Sequence, residues 1–181
     1  MADVRELAVL GGGCFWCLEP MFKRLRGVHS VCSGYAGGTL DHPDYTAVCS
    51  GRSGHAEVVQ ISFDPQQISF AVLLDVFFAL HDPCTLNRQG HDVGTQYRSV
   101  IFWQSESQKE VAQSVIAHLN ASGRLSGPVV TELVPAAIFY AAEDYHQDYF
   151  RLHGHEPYCR AVVAPKLAKG CALFANLLQD A

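Results

Sequence analysis

Two cysteines three residues apart close the stretch "GGGCFWC", Gly11 to Cys17, directly behind the apolar run "ELAVL". A thiol in that setting could be a nucleophile, one arm of a dithiol redox pair, or half of a zinc site. The nucleophile reading has a physical basis. Cys14 stands where a glycine loop leaves a strand and enters a helix, so backbone N–H groups and the positive helix end favour its thiolate. Phe15 and Trp16 beside a reactive thiol would wall a pocket for an apolar substrate group. Cys17 faces the same way as Cys14 across one helical turn, so a bond between them is sterically possible.

Polar groups that could work with the thiol are gathered in two loops. The stretch "TLDHPDYTAVCSGRSGHAE" carries Asp41, His42, Asp44, Tyr45, His55 and Glu57. The stretch "HDPCTLNRQGHDVGTQYRS" carries His81, Asp82, Arg88, His91, Asp92, Tyr97 and Arg98. Any one of these alone is an ordinary solvated loop residue. Their concentration in two glycine-bearing segments predicts a site, because long loops in compact domains are usually functional.

The elements that must position these groups follow from periodicity. "ELAVL" reads as a buried strand, and Leu18, Met21, Phe22 and Leu25 mark one face of a helix that Gly27 ends. Pro20 requires that helix to start soon after Cys14. "VHSVCSGYAGG", "EVVQISFDP", "QYRSVIFW" and "PVVTELVPA" read as strands, and "SFAVLLDVFFALHDP" as an apolar helix closed by Pro83. Ser105 and Gln108 form a capping box ahead of "ESQKEVAQSVIAHLNASG". "EDYHQDYFRLH" and "PKLAKGCALFANLL" read as two further helices. The order, roughly βαββαβαβαα, predicts an α+β fold: one two-layer plait with a ferredoxin-like βαββαβ core, extra helices and long loops. Residues 1–181 are expected to form one domain, with a mobile C-terminal segment around 152–181.

Composition bounds the function class. The 181-residue chain is 49 % apolar and 17 % charged, enough for a full core. A net charge of −5 and a pI near 5.9 argue against nucleic acid or an anionic membrane as partner. No apolar run approaches the ~20 residues of a membrane span, and no secretory signal is visible. Seven cysteines, an odd number, fit a reducing compartment better than a disulfide scaffold, so a cytoplasmic protein is expected.

Five motifs, "GGGCFWC", "GYAGG", "HPDYTAVCSGRSGHAE", "HDPCTLNRQGHDVGTQYRS" and "AEDYHQDYF", together resemble the peptide methionine sulfoxide reductase A family. The likeness runs from about Ala8 to Cys159. It implies that Cys14 attacks the sulfur of a methionine S-sulfoxide, free or protein-bound, and becomes a sulfenic acid. Phe15 and Trp16 would bind the S-methyl group. Glu57 matches the catalytic acid, Tyr45 and Tyr97 the two phenols at the sulfoxide oxygen, and Asp92 a further site carboxylate. Chemistry agrees: the departing oxygen must be protonated, which a neutral acid and phenol donors can do. Glu57 could stay protonated near neutral pH only if poorly solvated. The resemblance also implies thioredoxin as reductant, a role in protein repair under oxidative stress, no metal or organic cofactor, and a monomer.

The resemblance is weakest at the thiol that resolves the sulfenic acid. Many members carry glycine where this chain has Cys17, and their glycine-rich tail is here "GHEPYCRAVVAPKLAKG". Cys159 lies near the usual tail position and is expected to resolve first, with Cys17 as fallback and Cys171 unassigned. A thioredoxin-like dithiol oxidoreductase using Cys14 and Cys17 is the alternative. A zinc module would need "HGH" near Cys159 as its other half, a spacing that fits no usual zinc pattern.

Overall fold

The computed structural model describes residues 4–180. Its centre is a six-stranded sheet in the order β7-β6-β1-β3-β2-β8. The strands are β1 (Glu6–Gly11), β2 (Val28–Ala36), β3 (Ala56–Phe63), β6 (Val100–Trp103), β7 (Glu132–Pro135) and β8 (Tyr140–Ala141). A two-stranded hairpin, β4 (Arg88–Gln89) with β5 (Asp92–Val93), stands apart from that sheet. The helices are α1 (Phe15–Phe22), α2 (Tyr45–Cys49), α3 (Phe70–Leu80), α4 (Glu106–Ala121), α5 (Tyr149–His153) and α6 (Ala164–Leu173).

Strands β6, β1, β3 and β2 pair antiparallel, and with α1 and α3 they make the expected ferredoxin-like βαββαβ core. The parallel β6–β7 pair is an addition made through α4. Side-chain alternation assigns the two faces. Ala8 and Leu10 of β1 and Val59 and Ile61 of β3 join the main core beneath the helices, with Phe15, Leu18, Phe22 and Phe77. Val9, Val58, Val100 and Phe102 point the other way into a smaller cluster covered by Val134 and Phe139. Glu57 has the parity of Val59 and Ile61, and so faces α1.

Local chemistry sets the helix starts. Ser69 accepts from the Val72 N–H at 3.2 Å and Asp44 from the Ala47 N–H at 2.7 Å. Ser105 caps α4 at the Gln108 N–H, 3.2 Å, whereas the Gln108 side chain reaches the Gln104 N–H rather than that of Ser105. The two long loops contain more structure than their polar sequences suggest. The first holds the two-turn-or-less helix α2, and the second holds the β4–β5 hairpin.

The stretch expected as one helix at "EDYHQDYFRLH" is broken. A 3₁₀ turn at Asp144–His146 is separated from α5 by Asp148, which adopts φ 55°. Tertiary contacts impose that break. Buried Glu19 of α1 accepts from the Asp148 N–H at 2.9 Å, and Lys23 bridges Glu19 and the Asp148 carboxylate.

Beyond α5, a π-helical turn at Cys159–Val163 leads into α6. Arg26 N–H donates to the Leu177 carbonyl at 2.9 Å and Gln179 N–H to the Arg24 carbonyl at 2.7 Å. Residues 149–179 are thus largely helical and tied back to the end of α1.

Glu19→Ala should destabilise the protein by about 1–2 kcal/mol, because it removes a buried acceptor and leaves the Asp148 N–H and part of Lys23 without it. Urea unfolding measures this, and Glu19→Gln should recover much of the loss by keeping an acceptor.

Candidate active site

Cys14 is the N-cap of α1, in extended conformation (φ −62°, ψ 130°), at the exit of the glycine loop. Two glycines are needed there. Gly13 has φ +91°, and a Cβ on Gly12 would lie 2.9 Å from the ring of His81. The loop therefore packs flat on α3, and the thiol is set at the base of α1 with only 8 % of the residue exposed. Cys17 N–H closes the first turn onto the Cys14 carbonyl at 3.0 Å.

Glu57 is the second fixed point. Its Oε1 accepts from the Phe15 N–H at 3.2 Å, one of the free donors at the helix start. The residue is 1 % exposed, and burial pushes its carboxyl up to about 8, against the opposing pull of the Phe15 N–H and the nearby Asp92 charge, which raises it further. The Cys14 thiol lies beside the same carboxyl and offsets part of that rise. The expectation of a stabilised thiolate at Cys14 therefore does not hold in the resting protein. Burial, then the Glu57 charge and Cys17, drive its pKa well above the ordinary thiol value, and the helix-end N–H of Trp16 offsets only part of that.

Tyr45 and Tyr97 complete a cluster with Glu57. Both hydroxyls are pushed upward, chiefly by burial, and both sense the Glu57 charge; Tyr97 senses Cys14 as well. Tyr45 is held by its own N–H, which donates to Glu143 Oε2 at 3.0 Å. Glu143 also accepts from Tyr35 at 3.0 Å and Tyr145 at 3.2 Å. Two protonated phenols and a neutral acid thus converge beside the thiol, a set suited to receive a developing oxyanion or protonate a departing oxygen.

The aromatic wall divides in two. Phe15 is fully buried against Tyr35 and His146, so it forms the floor and not an open surface. Trp16 is partly exposed. It stacks on Tyr149 at 3.6 Å and meets Tyr158 edge-on at 5.9 Å. Its indole N–H donates to His146 Nδ1 at 3.1 Å, so the neutral His146 ring carries its proton on Nε2, where no described group accepts it. Burial holds His146 below the usual imidazole range.

Asp92 bears electrostatically on Cys14, Glu57 and Tyr97, and its hydrogen bond goes to a third phenol. Its Oδ2 accepts from the Tyr158 hydroxyl at 2.6 Å, and that oxygen is 3.9 Å from Cys17 Sγ. Cys17 is 1 % exposed and Cys159 is fully buried at the start of the π-helical turn. Cys17 is among the groups whose charge bears on Cys14; Cys159 is not.

Other loop residues have structural work. His81 bridges the Phe77 carbonyl and Ser99, 2.7 Å each, and His55 joins the Gly38 N–H to the Leu40 carbonyl. Arg98 binds the Gly54 carbonyl and Glu132. Glu143, His146, Tyr149 and Tyr158 were given no role by the sequence reading, although "AEDYHQDYF" contains three of them. Among the described residues no three or more His, Cys, Asp and Glu side chains converge in a way that could hold a metal ion.

Comparison with known proteins agrees with this geometry. The family model described as "Peptide methionine sulfoxide reductase" matches residues 6–175. A relative from Chromobacterium violaceum, "Peptide methionine sulfoxide reductase MsrA", is 57 % identical over 97 % of this chain and 99 % of its own. Among solved structures, Mxr1 from Saccharomyces cerevisiae in reduced form superposes with a TM-score of 0.79 at 32 % identity, covering 88 % of this chain and 91 % of that one. Mxr1 in complex with Trx2 matches with a TM-score of 0.56 at 25 % identity, over 82 % and 87 % of the two chains. With its thiol, acid and phenols brought to one helix end, the chain belongs to the peptide methionine sulfoxide reductase family of thiol-dependent oxidoreductases, of the MsrA type.

Proposed function

We propose that the protein reduces the S epimer of methionine sulfoxide through a sulfenic acid on Cys14. The observation that carries this reading is the buried, neutral Glu57 carboxyl hydrogen-bonded beside the Cys14 thiol. The substrate sulfur meets Cys14 with its methyl group against Trp16. Its oxygen turns toward Glu57, Tyr45 and Tyr97. Glu57 gives its proton to that oxygen, and the thiol proton of Cys14 returns to the Glu57 carboxylate. The substrate's S–O bond breaks and an S–O bond to Cys14 forms. Methionine leaves and Cys14 carries the oxygen as sulfenic acid, so atoms, protons and electrons balance.

A second thiol then condenses with the sulfenic acid. Cys17 is favoured as the first resolving thiol, in reversal of the expected order. It lies one turn from Cys14 on the same helix, whereas the approach of Cys159 would require opening the helical segment that begins at 159. Cys159 can still receive the disulfide afterwards. The homologous complex of Mxr1 with Trx2 supports a thioredoxin as the final reductant. Oxidised proteins and free methionine sulfoxide both remain within reach of a site this open at Trp16.

Incubated with dithiothreitol, the protein should consume the S epimer of a blocked methionine sulfoxide and leave the R epimer. Cys14→Ser should consume neither epimer. Consumption of the R epimer alone overturns the orientation given to the phenols and Trp16.

The single-turnover rate should be flat below about pH 7 and fall through about pH 8, where Glu57 ionises and the acid is lost. Glu57→Gln should be slower by about 10²–10⁴-fold and should show no fall at that pH. Tyr45→Phe and Tyr97→Phe should each cost less, because the other phenol remains.

Stability should follow the same group. Glu57 keeps its proton in the folded state up to about 8, while the unfolded carboxyl loses it near 4.5. The folded state binds more protons across that interval, so this group makes stability fall as pH rises from about 4.5 to 8. Urea unfolding of Glu57→Gln should show a shallower pH dependence over that range.

A further inference from the structure

Asp92 and Tyr158 lie beside the reducing site, and the structure joins them to a second thiol. Tyr158 donates its proton to Asp92 Oδ2 at 2.6 Å. Its oxygen therefore has lone pairs left to accept from Cys17, whose Sγ is 3.9 Å away. The three groups form a directed chain, Cys17 S–H to Tyr158 O–H to Asp92 carboxylate. Asp92 and Tyr158 also line a cleft of about 470 Å³, together with His91, Val162, Lys166 and Lys169. The chain thus begins at a buried thiol and ends at an opening to water.

We propose that Tyr158 and Asp92 are a proton relay that deprotonates Cys17 for its attack on the Cys14 sulfenic acid. This rests on the reading of Cys17 as the resolving thiol. The Cys17 proton passes to the Tyr158 oxygen as the Tyr158 proton passes to Asp92. The Cys17 thiolate attacks Cys14 Sγ, a disulfide forms, and the Cys14 S–O bond breaks. The leaving hydroxide takes a proton from Glu57 and departs as water. The Asp92 proton goes out through the cleft, and Glu57 regains one from solvent. The sum is one sulfenic acid and one thiol giving one disulfide and one water.

A relay is needed because Cys17 cannot ionise unaided. Burial pushes its thiol up, against the pull of Lys166 on the cleft wall. Asp92 also faces it, and its negative charge works in the same direction as burial, while Glu57 adds to this only above about pH 8, where it ionises. The fold supplies an unusual element at this point. The π-helical turn Cys159–Val163 starts immediately after Tyr158, with Cys159 turned into the core and Tyr158 toward Cys17 and Asp92. Tyr158 acts on the reacting thiol directly. Asp92 acts through Tyr158 and is a positioning and proton-accepting residue.

The test follows loss of the sulfenic acid by quenched-flow trapping with dimedone, alongside methionine release in the same samples. Tyr158→Phe and Asp92→Asn should lower the ratio of resolution to methionine release by about 10²-fold or more at pH 7. The deficit should shrink as pH rises and hydroxide takes over the proton from Cys17. Asparagine is informative because it can accept from Tyr158 but cannot take its proton. A purely structural role would leave the same deficit at every pH. Generating the sulfenic acid with one equivalent of hydrogen peroxide keeps the measurement open where a variant releases methionine slowly. Resolution at the parent rate in Tyr158→Phe and Asp92→Asn, or a deficit that does not change with pH, overturns the relay. Cys17→Ser tests the underlying reading separately. It should accumulate sulfenic acid, and unchanged resolution in that variant overturns Cys17 as the resolving thiol, whatever the other two do.

Discussion

A single buried hydrogen bond, from the Phe15 N–H to the Glu57 carboxyl, fixes the rest of the site. It joins the first turn of α1 to the start of β3, and so holds the thiol of Cys14 against an acid 43 residues further along the chain. A carboxyl in that place cannot be a carboxylate at neutral pH without a strong cation, and among the described residues no cation counts among the causes of its shift. Desolvation exceeds what one backbone N–H returns, so the group stays protonated and becomes a donor. The same burial keeps Cys14 a thiol. Acid and nucleophile are therefore both stored in neutral form until a polarised substrate arrives.

Everything around that bond restrains it. Main-core residues of β1 and β3 support α1 from below, and Gly12 and Gly13 let the loop lie against His81 of α3's end. Glu143 gathers Tyr35, Tyr45 and Tyr145, while Glu19 and Lys23 hold Asp148 so that His146 and Tyr149 meet Trp16. These anchors are charged groups with several hydrogen bonds each, which is how buried charge is tolerated. The wall that would receive a methyl group is thus held by polar contacts one layer out.

Two groups of polar side chains flank the two thiols. Glu57 with Tyr45 and Tyr97 stands on the oxygen side of Cys14, and Asp92 with Tyr158 stands on the side of Cys17. Both sides need a buried acid–base pair, because neither reacting thiol ionises readily at its depth. Only the second opens on the lysine-bearing cleft.

The sequence by itself determined the parts whose cause is local. Alternation and helical period gave the βαββαβ order, since each strand and helix must bury one face. The glycine approach to Cys14 and the "HPDY", "GHAE" and "GTQY" segments carried the nucleophile, the acid and the phenols as a recognisable set. Tertiary structure alone decided how they act. Whether Cys14 is a thiol or a thiolate depends on a balance between helix-end donors and desolvation, and depth of burial is not written in a window of residues. Asp92 could be read as a site carboxylate, but its bond to Tyr158 joins residues 66 apart in the chain. The helix at 144–153 was broken by contacts from Glu19 and Lys23 that local propensity cannot see. Cys159 reads as the natural partner of Cys14 by its distance along the chain. Its place in a packed helix is set by how α6 closes on α1, whereas Cys17 stands one turn from Cys14 by the local geometry of α1.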